Sequence, residues 1–114
     1  MTPAKFRRIA LSLPEATESS HFGTPDFRIK GKIFATLGEH ERSWGVIKLT
    51  PEQQEIVVQG EPSVFRPVAS AWGRRGWTEV RIANADELTL KSAITSAWLN
   101  VAPKKLAAEF RAKK

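Results

Sequence analysis

The sequence predicts an α+β fold, with helices packed on one face of an antiparallel sheet in two layers. Three observations predict it. Apolar residues recur at helical spacing near both ends of the chain. Residues 16–49 are predicted to be β, with apolar and polar side chains alternating over residues 27–30 and 32–37 between short turns, and a capped helix separates them from a further strand. A chain of 114 residues is the size of one domain, which we predict to span residues 1–114.

The first two helices are predicted from their caps. Thr2 precedes a proline at the first helical position, and Pro14 ends the helix. Thr50, with Gln53 three residues later, forms a capping box for the second helix, which Gly60 ends. The core-facing positions at helical spacing are Phe6, Ile9, Ala10 and Leu13 in the first helix and Ile56 and Val57 in the second.

The last long helix is predicted from Asn84 and Glu87, which have capping-box spacing. Pro103 interrupts it, and a short helical turn follows over residues 106–110. Residues 101–114 form a basic tail with five Lys or Arg residues and one Glu. The core-facing positions of the long helix are Leu90, Ile94, Ala97, Trp98 and Val101.

The strands are predicted from period-two alternation between turns. Residues 23–26 and Gly31 carry turn signals, and residues 44–49 form the last strand of the meander. We expect residues 61–71 to be a loop or a short irregular strand, followed by a strand over residues 77–82. The positions predicted to face inward in the first two alternating strands are Phe27, Ile29, Ile33, Ala35 and Leu37.

Charge and composition limit the possible functions. The net charge is +6, from 18 basic and 12 acidic residues, which favours a polyanionic partner such as DNA. No cysteine is present, which excludes disulfides, thiolate metal sites and a cysteine nucleophile. No signal peptide or membrane span is visible, so we expect a cytoplasmic protein without membrane association.

Catalytic and metal-binding patterns are lacking in the sequence, which has two histidines and no tyrosine. We therefore predict no catalytic residue, no metal site and no cofactor, and expect that the protein is not an enzyme. His40 is predicted to be a solvated turn residue. His21 lies beside a turn, where it can hydrogen-bond Asp26 or contribute to a ligand site.

The most unusual segment is Trp72-Gly-Arg-Arg-Gly-Trp77. Arginine matches phosphate and stacks on indole rings, and glycine permits a sharp turn or a close approach. We predict that Trp72 and Trp77 pack in the core. Arg74 and Arg75 are either solvated or contact an anion.

The first hairpin offers a second basic surface. Arg28 and Lys30 are expected on one strand face, and Lys32 follows across the turn. If Phe27 and Ile29 point inward, these cations point outward. They then form either a solvated sheet face or a wing along a nucleic-acid backbone.

Several segments together resemble the MmcQ/YjbR-like family: residues 21–28, 31–35, 72–73, 76–78 and 98–106. The resemblance covers nearly the whole chain. It implies a compact α+β domain of the CyaY-like or secretion-chaperone-like type, which agrees with the element order above. It also implies DNA binding through a double-wing motif, and it supplies no catalytic residues.

The leading functional hypothesis is therefore a DNA-binding domain that contacts phosphates. One alternative is a protein-interaction module that docks a partner on an open sheet face, with Phe34, Trp44 or Trp72 exposed there. Another is a small anionic ligand bound by His21, Trp72, Arg74 and Arg75 in one pocket. The predicted DNA-contacting residues are Arg28, Lys30, Lys32, Arg74, Arg75, Lys104 and Lys105.

Overall fold

A six-stranded antiparallel sheet organises the fold, in a computed structural model that describes residues 1–38 and 44–113. Its strands are β1 (Ala16–His21), β2 (Thr24–Ile29), β3 (Lys32–Leu37), β4 (Trp44–Lys48), β5 (Phe65–Pro67) and β6 (Trp77–Arg81). They lie side by side in the order β1-β2-β3-β4-β6-β5, and every pair is antiparallel. The predicted α+β class is confirmed.

The helices are α1 (Pro3–Ser12), α2 (Pro51–Gly60), α3 (Ala71–Arg74), α4 (Glu87–Val101) and α5 (Lys104–Ala112). Helix α4 packs across β3 and β4, and α1 packs beside it. Within the described part of the chain, no helix is both long and apolar enough to cross a membrane.

The core lies between this helical layer and one face of the sheet. Phe6, Phe27, Ile94 and Trp98 are fully buried there, and the Trp98 indole Nε1 donates a hydrogen bond to the Pro14 carbonyl at 3.1 Å. This bond satisfies the one polar atom of an otherwise apolar side chain and ties α4 to the end of the N-terminal segment. The predicted inward faces of the first and last long helices are confirmed at most positions.

Two tight hairpin turns place the ends of β2 at residues other than those predicted. Phe22 and Gly23 both have positive φ, at 50° and 79°, and so do Lys30 and Gly31, at 52° and 81°. Paired left-handed residues make the two-residue turn that matches strand twist. Strand β2 therefore begins at Thr24, so the prediction of a turn through residue 26 was wrong, and Lys30 lies in a turn rather than on a strand face.

A β-bulge changes which residues of β3 face the core. Phe27 pairs with Ala35 but Arg28 pairs with Ile33, so Phe34 is the extra residue. Phe34 is fully buried and Ile33 lies on the opposite face, where it lines a cavity with Val46. The prediction that Ile33 faces inward was wrong because one inserted residue reverses the alternation.

Three helix predictions also need correction. Ile56 does not face the core, since 71% of its surface is exposed. The N-cap of α4 is Asp86, which accepts a hydrogen bond from the Thr89 amide at 2.7 Å, and Asn84 instead donates to the Ser63 carbonyl. The predicted short turn after Pro103 is a nine-residue helix, α5.

Candidate nucleic-acid interface

The sheet face opposite the helices carries aromatic and basic side chains. On β4 and β6, Trp44, Trp77 and Arg81 point to this face while their neighbours in sequence are mostly buried. Arg66 and Arg81 lie over the Trp44 ring, at 4.0 and 5.5 Å from its centroid. We call this surface the open face.

Cations from distant parts of the chain lie at one end of the sheet. Lys48 at the end of β4 contacts Arg75, which precedes β6, and Lys32 begins β3, which runs antiparallel to β4. Lys32 pairs with the buried Ile29, so its side chain leaves the sheet on the helix side, whereas Lys48 pairs with Trp77 on the open face. We call this end the basic end, formed by Lys32, Lys48, Arg74 and Arg75.

Two of these cations contact the tryptophans of the open face. The Lys48 ammonium lies 5.4 Å from the Trp77 ring centroid and donates to the Arg75 carbonyl at 2.8 Å. The Arg75 guanidinium lies 5.2 Å from the Trp72 ring centroid. These cation–π contacts hold positive charge beside the two indoles.

A cavity of about 280 Å³ opens on the same face between β1 and α3. Trp72 and Trp77 form one wall, with their rings edge to face at 6.4 Å between centroids. His21 and Thr36 are the polar residues of the lining. We call it the indole pocket; its lining residues are His21, Ile33, Thr36, Val46, Val68, Trp72 and Trp77.

A buried carboxylate holds the histidine of this pocket. The Asp26 side chain is fully buried, and its Oδ2 accepts from the His21 ring at Nδ1, 2.8 Å away. Arg28 donates to both Asp26 oxygens, at 2.8 and 3.1 Å. The hydrogen bond from Arg28 is the largest cause that lowers the pKa of Asp26 below its ordinary value; His21 adds to it, and burial opposes it. The predicted contact of His21 with Asp26 is confirmed.

Replacing Asp26 with asparagine tests this network through pH. A carboxyl whose pKa is lowered by folding stabilises the protein above its unfolded pKa, near 3.9, and this stability is lost as pH falls through the folded pKa. We expect Asp26→Asn to lose about 1–3 kcal/mol of unfolding free energy at pH 7. In urea denaturation, the difference in unfolding free energy between this variant and wild type should shrink below about pH 4. Glu55→Gln, on an exposed helix surface, is the control. The same difference in unfolding free energy between Asp26→Asn and wild type at pH 7 and at pH 3 would contradict this account.

Both glycines of the Trp-Gly-Arg-Arg-Gly-Trp segment are needed for close backbone packing. A Cβ atom at Gly73 would lie 1.9 Å from the Val68 carbonyl oxygen, and one at Gly76 would lie 1.9 Å from that of Leu49. Gly76 also has φ +105°, which strains any side-chain-bearing residue. Of the two possibilities that these glycines permit, the structure shows the close approach, and the segment forms the short helix α3, which ends at Arg74 with Arg75 as its C-cap.

The predicted DNA-contacting residues occupy different surroundings. Lys32, Arg74 and Arg75 are exposed at the basic end. Arg28 lies on the open face, but its guanidinium is bound to Asp26, and Lys30 pairs with Glu15 at 2.6 Å. Lys104 and Lys105 begin α5, and Lys105 lines a shallow depression together with Lys30, Glu15 and Glu109.

The tryptophan prediction was wrong in part. Trp72 on α3 is 56% exposed, and Trp77 is half-buried on the open face because Thr78 and Val80 are the residues of β6 that face the core. Phe34 is fully buried and cannot serve the exposed role considered for it. Of the four residues predicted for a ligand pocket, His21 and Trp72 line the indole pocket, Arg75 contacts Trp72, and Arg74 is outside the lining.

Sequence reasoning named Trp44 among the residues that an open face could expose, but it missed Arg66 and Arg81 and left the position of Lys48 open. The alternation of β4 signals that Trp44, Val46 and Lys48 share a face, but the pairing of β4 with β6 is needed to bring Lys48 to Trp77. Arg66 is itself neutralised, since its Nε lies 3.2 Å from a Glu79 oxygen.

A second cavity, of about 450 Å³, lies in the helical layer between α2 and α4. Its lining includes the exposed residues Ile56 and Leu88 and the carboxylate of Glu61, and it includes no Lys or Arg among the described residues. Across the described ranges, no group of three or more His, Cys, Asp or Glu residues is arranged to hold a metal ion. His40 lies outside the described residues.

The fold and this face define an α+β protein with one helix-covered sheet face and one open, aromatic and basic face. A sequence model described as YjbR matches residues 11–100, and the chain belongs to the YjbR family. The structure is similar to that of Deinococcus radiodurans protein DR2400, a DUF419 domain, with a TM-score of 0.77. The two chains are 20% identical, and the match covers 96% of this chain and 88% of the other. No curated protein matches the sequence.

Proposed function

We propose that the protein binds nucleic acid, with the basic end holding the phosphates. The observation that carries the proposal is the contact of Lys48 with Arg75, 27 residues apart in sequence, beside Trp77 and Trp72, with Lys32 at the same end of the sheet. Basic side chains interleaved with aromatic rings are the pattern with which proteins follow a nucleic-acid backbone.

The charge balance at this end favours an anionic partner. Lys30 is paired with Glu15, and Glu109 lines the same depression as Lys30 and Lys105. Lys32, Arg74 and Arg75 have no carboxylate partner among the described residues, so their charge is available to phosphates. Lys104 and Lys105 add two positive charges at the start of α5.

The cations that bind phosphate in this proposal are not the same as those of the predicted hairpin wing. Arg28 and Lys30 are occupied by Asp26 and Glu15, so they support the fold near the site rather than contact phosphates. The contacts then come from the start of β3, the end of β4 and the residues before β6. Phosphate contacts of this kind fix position without reading base sequence.

Fluorescence anisotropy with a labelled 15-nucleotide DNA strand and its duplex, over a salt series, tests the proposal. Neutralising about four to six phosphates predicts a slope of log K against log salt of roughly −3 to −4 for the strand. Absence of binding at 50 mM salt, or a slope near zero, would contradict it.

A further inference from the structure

The indole pocket is a place for a flat, mostly apolar group. Trp72 is 56% exposed, and its ring meets Trp77 at an interplanar angle of 77°. A planar ring that stacks on one indole therefore has its edge against the other. Ile33, Val46 and Val68 supply the remaining apolar contacts.

Two residues of the same lining, His21 and Thr36, carry hydrogen-bonding groups. The His21 Nδ1 is engaged by Asp26, which leaves Nε2 as the ring nitrogen for a ligand. Asp26 fixes the ring orientation, because it is fully buried and held by Arg28. The site thus combines stacking surfaces with a positioned polar edge, which suits a nucleobase.

Two residues of the pocket lining are flanked by positive charge. The Lys48 ammonium lies 5.4 Å from the Trp77 ring centroid and the Arg75 guanidinium lies 5.2 Å from that of Trp72, so an anion joined to a ring in the pocket has cations close by. By contrast, the larger cavity between α2 and α4 has no Lys or Arg in its described lining. A ring with an attached phosphate is the ligand chemistry that fits both features.

We propose that the indole pocket takes one unstacked base of a single strand, whose phosphates lie along the basic end. The inference rests on the proposed function and narrows it to single-stranded nucleic acid. Bases of a duplex are stacked and paired, so none can enter the pocket without being extruded at a cost of a few kcal/mol. A strand with unpaired bases reaches both Trp72 and the cations.

The test compares a 15-nucleotide thymidine strand with an abasic strand of the same length, by anisotropy with wild type, Trp72→Ala and Trp72→Phe. We expect wild type to prefer the thymidine strand by about 10-fold or more. Trp72→Ala should remove this preference, and Trp72→Phe should keep most of it because a stacking ring remains. Ile56→Ala, in the α2–α4 cavity, is the matched control and should bind as wild type does.

Each outcome separates this inference from the proposed function. Equal binding of both strands, unchanged by Trp72→Ala, overturns the base pocket and leaves phosphate binding intact. Failure of every strand to bind overturns both. Thymidine monophosphate is the competitor: if it displaces the strand at equal nucleotide concentration, the pocket serves free nucleotides and the strand assignment is overturned.

Discussion

Removing three cations of the basic end is expected to abolish most of the affinity for nucleic acid. The variant is Lys32→Ala with Arg74→Ala and Arg75→Ala. Loss of three phosphate contacts predicts roughly a 100-fold weaker complex with a single strand at 50 mM salt. These side chains are exposed, so folding should be unaffected. Anisotropy gives the affinity, and thermal unfolding checks that the fold persists.

The matched control removes the same charge elsewhere. Arg8, Lys91 and Arg111 are exposed cations on α1, α4 and α5, away from the open face. Their triple alanine variant has the same net charge as the first variant. If both variants lose affinity equally, net charge rather than the basic end governs binding.

The second large effect is expected from Gly76→Ala. The new Cβ would overlap the Leu49 carbonyl oxygen at 1.9 Å, and φ of +105° is unfavourable for alanine. Backbone strain and overpacking together predict a loss of about 3–5 kcal/mol of unfolding free energy. Chemical denaturation measures this loss directly.

Gly60→Ala is the control for that substitution. Gly60 ends α2, and nothing lies within 4 Å of its would-be Cβ. Alanine there should leave stability unchanged or raise it by up to about 1 kcal/mol through helix propensity. Equal effects at Gly60 and Gly76 would show that Gly76 is not needed for close packing.

The element order was predictable because it depends on local signals. Caps such as Thr2 and Thr50 and the apolar spacing of α4 are visible in short windows of sequence, and the structure has them as predicted. The two-residue turn at Gly31 is equally local. At the start of α4, Asn84 and Asp86 compete as caps, and the chain uses Asp86 because Asn84 lies in a 3₁₀ turn.

The face on which each residue of β3 lies was not predictable in the same way. One bulged residue buries Phe34 and turns Ile33 to the open face, and no local signal marks the bulge. Likewise, the pairing of β4 with β6 is a contact between residues about 30 apart in sequence. The candidate site depends on this pairing, since it joins Lys48 to Trp77.

The segment that contributes most residues to the candidate site was identified from the sequence. Trp72-Gly-Arg-Arg-Gly-Trp77 was singled out for its composition, and the structure adds why both glycines are needed and that Arg75 contacts Trp72. The sequence did not reveal that Arg28 and Lys30 have carboxylate partners, Asp26 and Glu15, and are therefore not available to phosphates. Asp26 is two residues from Arg28, but only its burial makes the pair persistent.

The salt dependence of binding, compared between wild type and the triple variant of the basic end, tests the central claim most directly. If Lys32, Arg74 and Arg75 each neutralise one phosphate of a single strand, the slope of log K against log salt becomes flatter by about 2. The control triple variant should keep the wild-type slope. Identical slopes for wild type and the basic-end variant would contradict the account.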